Sequence, residues 1–335
     1  MLALSTKGQT LFRTSIQTRS SFLRHVLAHP RREAMKPHAA LLLAVTLIGC
    51  SHLSDSTRPP PVKTLAIGDT TLAYVEQGQG ETIIFVHSAD DWRAWETVRP
   101  LVASKHRFVS YSRRYHHPNP ADGGGQPYTV SQQADDLIAF IQAQRVGPVH
   151  VVGTTLGARI AIEAALKRPE LFRSLVVNDP AIVRPIAGAD VAASEALARD
   201  IGKSMAAARA RDTRQSTIFL IDALFGQPGA WNRQSPELQQ RYLDNQGFSI
   251  AFTSAKQTPP PGCEQLGTLQ MPVLVIEGEH TVPGFRVGND RLLQCLPAGS
   301  LRAVIPGAPH LWTLTNPTAG VRSIQTFIAK TRTTR

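Results

Sequence analysis

From about residue 64 the chain alternates two hydrophobic rhythms. Short apolar runs, four to six residues long, read as strands: "TLAIG", "TLAYVEQG", "TIIFVH", "HRFVSYS", "VHVVG", "LFRSLVVND", "PVLVIEG" and "LRAVIPG". The first two pattern as an opening antiparallel pair. Later ones are apolar on both faces, as buried parallel strands are. Between them lie segments of helical period: "DWRAWETVRPLVAS", with Trp92, Trp95 and Val98 on one face, "VSQQADDLIAFIQAQ", "TLGARIAIEAALKRP" and a final "AGVRSIQTFIAKT". Such alternation predicts an α/β fold, a mostly parallel eight-stranded sheet with helices on both faces. Residues 181–262 interrupt it with helical stretches, "AASEALARDIGKSMAAARARD" and "SPELQQRYLDNQ". An insertion after the sixth strand is expected to form a helical cap that shapes a pocket and excludes water.

The N-terminal region follows a different pattern. Met35-Lys36-Pro37-His38 precedes "AALLLAVTLIGC", a basic start followed by an apolar run too short for a comfortable membrane span, as in a secretory signal peptide. Leu47-Ile48-Gly49-Cys50 resembles the bacterial lipobox. That resemblance implies a leader over 35–49, lipidation of Cys50, and a membrane anchor on the periplasmic face, with Ser51 pointing to the outer membrane. Residues 50–63, polar and proline-rich, read as a tether. Residues 1–34 are rich in Ser, Thr and Arg; they read as an upstream misassigned start or as an extra extension of transit-peptide composition.

Charge changes this picture little. The chain of 335 residues has a formal net charge of +11. Seven of its Lys and Arg and one acid fall in residues 1–49, leaving only +5 for the rest. Without a Lys/Arg run or stacking aromatics in that remainder, no nucleic-acid partner is expected. No metal-ligand spacing or dinucleotide fingerprint appears, so no cofactor is expected. Cys263 and Cys295 remain once Cys50 is assigned to lipid; they form a disulfide or two buried thiols.

Candidate chemistry lies just after the strands, where open parallel sheets place their ligands. "VHVVGTTLGARIA" (149–161) turns from strand to helix through Gly153-Thr154-Thr155-Leu156-Gly157. Small flanks permit the sharp turn that presents a nucleophile, here Thr155, with the Leu156 amide aimed at a developing oxyanion. His310 follows the last strand and can act as general base. Asp179, after the sixth strand, is the candidate acid; Glu279, after the seventh, is the alternative, because Thr281 stands where an aspartate is usual. His87-Ser88-Ala89 follows the third strand, and the Ala89 amide is the candidate second oxyanion donor. Ser88 as a rival nucleophile lacks a base in the order of the fold.

These residues together resemble the α/β-hydrolase superfamily over about residues 64–330. "YSRRYHHPNP" (111–120), "GEHTVPGFRVGNDRLLQCLPAGS" and "IPGAPHLWTLTNP" are similar to one bacterial group of it. The resemblance implies a hydrolase, with the acid after strand six, but not a substrate. A cap rich in Ala, Leu and Phe suggests a small or medium apolar ester or acyl group as the small-molecule substrate, and a monomer is expected. The departures fall at the centre: Thr154 and Thr155 replace the group's His-Ser, and Ser88 replaces a glycine. A catalytically impaired ligand-binding or regulatory lipoprotein is therefore the alternative.

Overall fold

The structure is a computed structural model that describes residues 59–181 and 190–333. The leader, Cys50, most of the tether and the first residues of the expected cap lie outside the described residues. Eight strands form one sheet in the order β1-β2-β4-β3-β5-β6-β7-β8. They are β1 (Lys63–Ile67), β2 (Thr70–Gln77), β3 (Thr82–Val86), β4 (Arg107–Tyr111), β5 (Val149–Thr154), β6 (Phe172–Asn178), β7 (Val273–Gly278) and β8 (Leu301–Ile305). β2 runs antiparallel to β1 and β4; all other pairings are parallel. Chain order and spatial order cross at β3 and β4, and each parallel step needs a helix to carry the chain back.

The buried character of the central strands explains their position. Every residue of β3, β5 and β7 is buried, as a strand covered on both faces requires. One face carries α2 (Val130–Ala143) and α3 (Leu156–Lys167), whose Leu137, Phe140, Ile141, Ile160 and Ala164 pack on Ile84, Val151 and Val177. The other carries α1 (Arg99–Ala103) and α10 (Pro317–Thr333), with Val102, Ile324 and Phe327 against Ile83, Phe85 and Val152. The expected single helix over 91–104 does not form. Asp91 caps a 3₁₀ turn over Trp92–Trp95, and α1 starts only at Arg99. Pro100 is the reason. Inside one continuous helix it would lack the N–H for the Glu96 carbonyl and its ring would press on that turn; as the second residue of a new helix it costs nothing. Trp95 and Val98 are buried all the same.

The insertion is helical: α4 (Asp190–Arg209), α5 (Thr213–Phe225), α6 (Pro236–Asp244) and α7 (Phe248–Ser254). It has its own small core of Ile221, Leu224, Trp231 and Tyr242, which extends to Phe285. Phe285 belongs to α9 (Pro283–Cys295), the helix between β7 and β8. A disulfide joins Cys295, at the end of α9, to Cys263, at the start of α8 (Cys263–Leu266). No described helix is long and apolar enough to cross a membrane.

Candidate active site

The turn from β5 into α3 is tight enough to exclude side chains. A Cβ on Gly157 would lie 2.3 Å from the Val86 carbonyl oxygen, and one on Gly153 would lie 2.6 Å from the Ala158 Cα. Glycine is required at both because helix and strand backbones touch there. Thr155 sits at the apex with φ 49° and ψ −108°, a conformation that a β-branched residue adopts only under strain of roughly 1–3 kcal/mol. Its amide donates to the Asn178 carbonyl at 2.8 Å, and its own carbonyl accepts from Ala181. The turn is thus pinned to the end of β6.

That strain presents the Thr155 hydroxyl to His310, with Oγ1 2.7 Å from Nε2. His310 Nδ1 lies 2.7 Å from Asp179 Oδ2. A carboxylate only accepts, so Nδ1 carries the proton and Nε2 is left to accept from the threonine. All three side chains are buried. The Phe285 ring lies flat on the imidazole, centroids 4.4 Å apart and planes within 8°, which fixes its rotation about the axis the two hydrogen bonds define.

Asp179, with φ 41°, is held from the other side. Thr281 donates its hydroxyl to Oδ2 at 2.7 Å, and Asn289 of α9 donates to Oδ1 at 2.6 Å. The position after β7 where an acid was a candidate therefore supplies a donor to the acid after β6. Glu279 is exposed and accepts from the Gly307 amide at 2.7 Å; the structure does not bring it to His310.

Leu156 opens α3, so its amide has no intrahelical acceptor, and the helix's positive end meets the reacting centre. Ala89 lines the same pocket as Thr155 and His310. Ser88 lines it too, but the neighbouring imidazole is committed elsewhere: His87 Nε2 accepts from the Arg113 amide and Nδ1 contacts the Ser88 carbonyl. Thr154, in place of the group's histidine, takes a hydrogen bond from Asn178 Nδ2 at 2.9 Å, and the same Nδ2 lies 3.2 Å from the His310 carbonyl. It ties the turn to the base's backbone.

Pattern reading missed the pocket's charged wall. A partly open pocket lies between the sheet's carboxyl edge and the cap; its apolar walls include Trp95, Leu224, Trp312 and Leu314. Asp90 and Arg241 also line it, with Arg241 Nε 2.8 Å from Asp90 Oδ2. That is ion-pair distance, although the Nε–H is not aimed along a hydrogen bond. Burial pushes the Asp90 carboxyl up to about 6; Arg241 opposes the rise and neighbouring Asp91 adds to it. The cap thus contributes more than the apolar lining expected of it. Asp90 could have been noticed as the second residue past Ser88 on a loop that meets the site; Arg241 carries no signal of its own, one charge among several on an amphipathic helix whose Leu238, Tyr242 and Leu243 pack inward.

A sheet of this order, with hydroxyl, carboxylate and imidazole in that chain order at the carboxyl ends of β5, β6 and β8, defines the hydrolase class of α/β folds. Residues 83–324 match the alpha/beta hydrolase family, and the chain belongs to it. It is 24% identical over 273 residues to 2-(acetamidomethylene)succinate hydrolase from Mesorhizobium japonicum, covering 78% of this chain and 93% of that protein. An uncharacterized hydrolase of Bacillus subtilis is 22% identical over 200 residues, 57% of this chain and 74% of its own. Among solved structures, a thermophilic esterase from Thermogutta terrifontis superposes with a TM-score of 0.63 at 20% identity, over 81% of this chain and all but 1% of its own. The enol-lactonase of Burkholderia xenovorans gives 0.65 at 15% identity, over 80% of this chain and all of its own. At those identities the likeness is one of fold.

Proposed function

We propose that the chain is a hydrolase that cleaves a small or medium ester by acyl transfer through Thr155. The unbroken run of contacts from Thr155 Oγ1 through His310 to Asp179, both steps at 2.7 Å, carries this reading. Oγ1 attacks the ester carbonyl while His310 Nε2 takes its proton, and the Leu156 and Ala89 amides hold the resulting oxyanion. Collapse expels the alkoxide, which receives the proton from Nε2. Water, deprotonated by the same nitrogen, then attacks the Thr155 ester, releases the acid and restores the hydroxyl. Asp179 stays ionised throughout and stabilises the imidazolium. The hydrolase names of relatives support the reaction class; the walls of Trp95, Leu224 and Trp312 support an apolar acyl group. From the lipobox-like Leu47–Cys50 segment we further infer that the domain works tethered to a membrane surface.

The threonine methyl favours a second reading. It crowds the attack point, and a misplacement of about 1 Å costs on the order of a hundredfold in rate. A protein that has kept the pocket for binding alone would carry such a change. A fluorophosphonate probe separates the two. The enzyme is expected to label at Thr155 and to lose the label in Thr155→Ala, and Thr155→Ser is expected to label and turn over roughly 10- to 100-fold faster. A wild type that never labels, beside a Thr155→Ser variant that does, would establish the binding reading.

A further inference from the structure

Behind the oxyanion loop lies a buried guanidinium that the reaction above does not use. Arg113, just past β4, is 1% exposed. Its Nε donates to the His87 carbonyl at 3.1 Å and its Nη2 to the Ser88 carbonyl. Its own backbone amide donates to His87 Nε2 at 2.9 Å, which turns His87 Nδ1 onto the same Ser88 oxygen at 3.1 Å. The far side of the guanidinium meets Tyr128 Oη, Gln133 Oε1 at 3.2 Å and His116 Nε2 at 3.1 Å. Burial holds both His87 and His116 well below the usual imidazole range, and the charge of Arg113 lowers them further. Among the described residues no carboxylate pairs with Arg113, so its charge is compensated only by neutral acceptors.

The Ser88 carbonyl and the Ala89 N–H belong to one peptide unit. In a trans peptide the two point in opposite directions. Donors gripping the oxygen from behind therefore aim the N–H forward into the pocket that Ala89 shares with Thr155. A charge-assisted bond to the oxygen also draws electron density from the nitrogen and makes the N–H a stronger donor. Where the family's usual glycine would leave this peptide free to turn, Ser88 and Arg113 fix it. We propose that Arg113 is the positioning residue of the oxyanion site, holding and polarising the 88–89 peptide so that the Ala89 amide meets the charge developing on the substrate. The inference rests on the acyl-transfer reading for its kinetic consequence, not for its geometry.

The test pairs two readouts on the intact protein. Arg113→Lys keeps the charge but cannot reach both carbonyls, and Arg113→Met serves if the lysine variant does not fold. The ¹⁵N resonance of Ala89, sensitive to what bonds to the preceding carbonyl, is expected to move while that of Gly153 stays in place. On p-nitrophenyl butyrate, kcat is expected to fall about 10- to 100-fold with KM within twofold, as loss of a contact made only in the transition state requires. An unmoved Ala89 resonance would overturn the inference, as would a rate loss that appears wholly in KM or only as thermal unfolding. If the wild type hydrolyses no ester, the acyl-transfer reading fails, and the Ala89 resonance alone decides the role of Arg113.

Discussion

At the scale of single residues, the site is a chain of polar atoms in which each proton has one place to go. Asp179 accepts from His310, Thr281 and Asn289, so its charge is spread over three donors without a lysine or arginine. Asp179→Asn presents either an amide oxygen, which holds imidazole weakly, or an NH₂, which forces the wrong tautomer. Its kcat is expected to drop by about 10⁴ with far less change in KM. Thr281→Val removes one donor and leaves the His310 contact intact, so steady-state kinetics should show a loss nearer tenfold. If the two variants lost equally, the acid would act by holding the fold and not by holding the imidazole. The sequence exposed these residues unevenly. Thr155, His310 and Asp179 stand at strand ends and could be found by position. The donor role of Thr281 could not, because a hydroxyl after β7 signals nothing until Asp179 is known to reach across from β6. Arg113 was equally hidden: in "YSRRYHHPNP" two adjacent arginines differ only in what they face, neutral carbonyls for Arg113 and Asp136 with Asp69 for Arg114.

At the scale of elements, strands were easier to read than helices. All eight strand runs fold as strands at nearly the positions their apolar residues mark, since the central strands, covered on both faces, are mostly apolar. The failure at 91–104 came from weighing the period of Trp92, Trp95 and Val98 above Pro100, although a 3₁₀ turn followed by a short helix keeps Trp95 and Val98 equally well inside. The β5–α3 turn was legible for the opposite reason: its glycines have no substitute. Gly157→Ala would place a methyl 2.3–2.4 Å from the Val86 and His87 carbonyl oxygens, both backbone atoms. α3 must move off β3, and thermal unfolding should show a loss of about 2–4 kcal/mol. Gly202 lies within α4 with nothing inside 4 Å of the corresponding methyl. Gly202→Ala is therefore expected to gain up to about 1 kcal/mol. Opposite signs for one chemical change would locate the constraint in the contact and not in glycine itself.

At the scale of the whole molecule, the cap is fastened to the sheet through the loop after β3. Asp91 accepts from Arg93 and from Asn245, Arg93 reaches Asp244 at 2.8 Å, and Arg241 stands against Asp90. Asn245 also accepts from the His117 amide. The loop that carries Ala89, the proposed oxyanion donor, is thus also the seat of the cap, so the same residues close the pocket and shape it. Asp90 makes this joint sensitive to pH. Its carboxyl titrates near 6 in the folded chain, above the usual aspartate value of 3.8, because burial disfavours the ionised form more than Arg241 favours it. A carboxyl raised on folding contributes its full stability below about pH 4 and loses it as pH rises through 6. The two values imply a cost of roughly 3 kcal/mol for carrying Asp90 ionised at neutral pH. Asp90→Asn removes that cost while keeping the shape of the protonated acid. Melting curves of wild type and variant should coincide below about pH 4 and separate between about pH 4 and 6, with the variant the more stable above. A variant that melts earlier at pH 7.5 would show instead that the Arg241 pair outweighs the burial, and that the cap is held by charge.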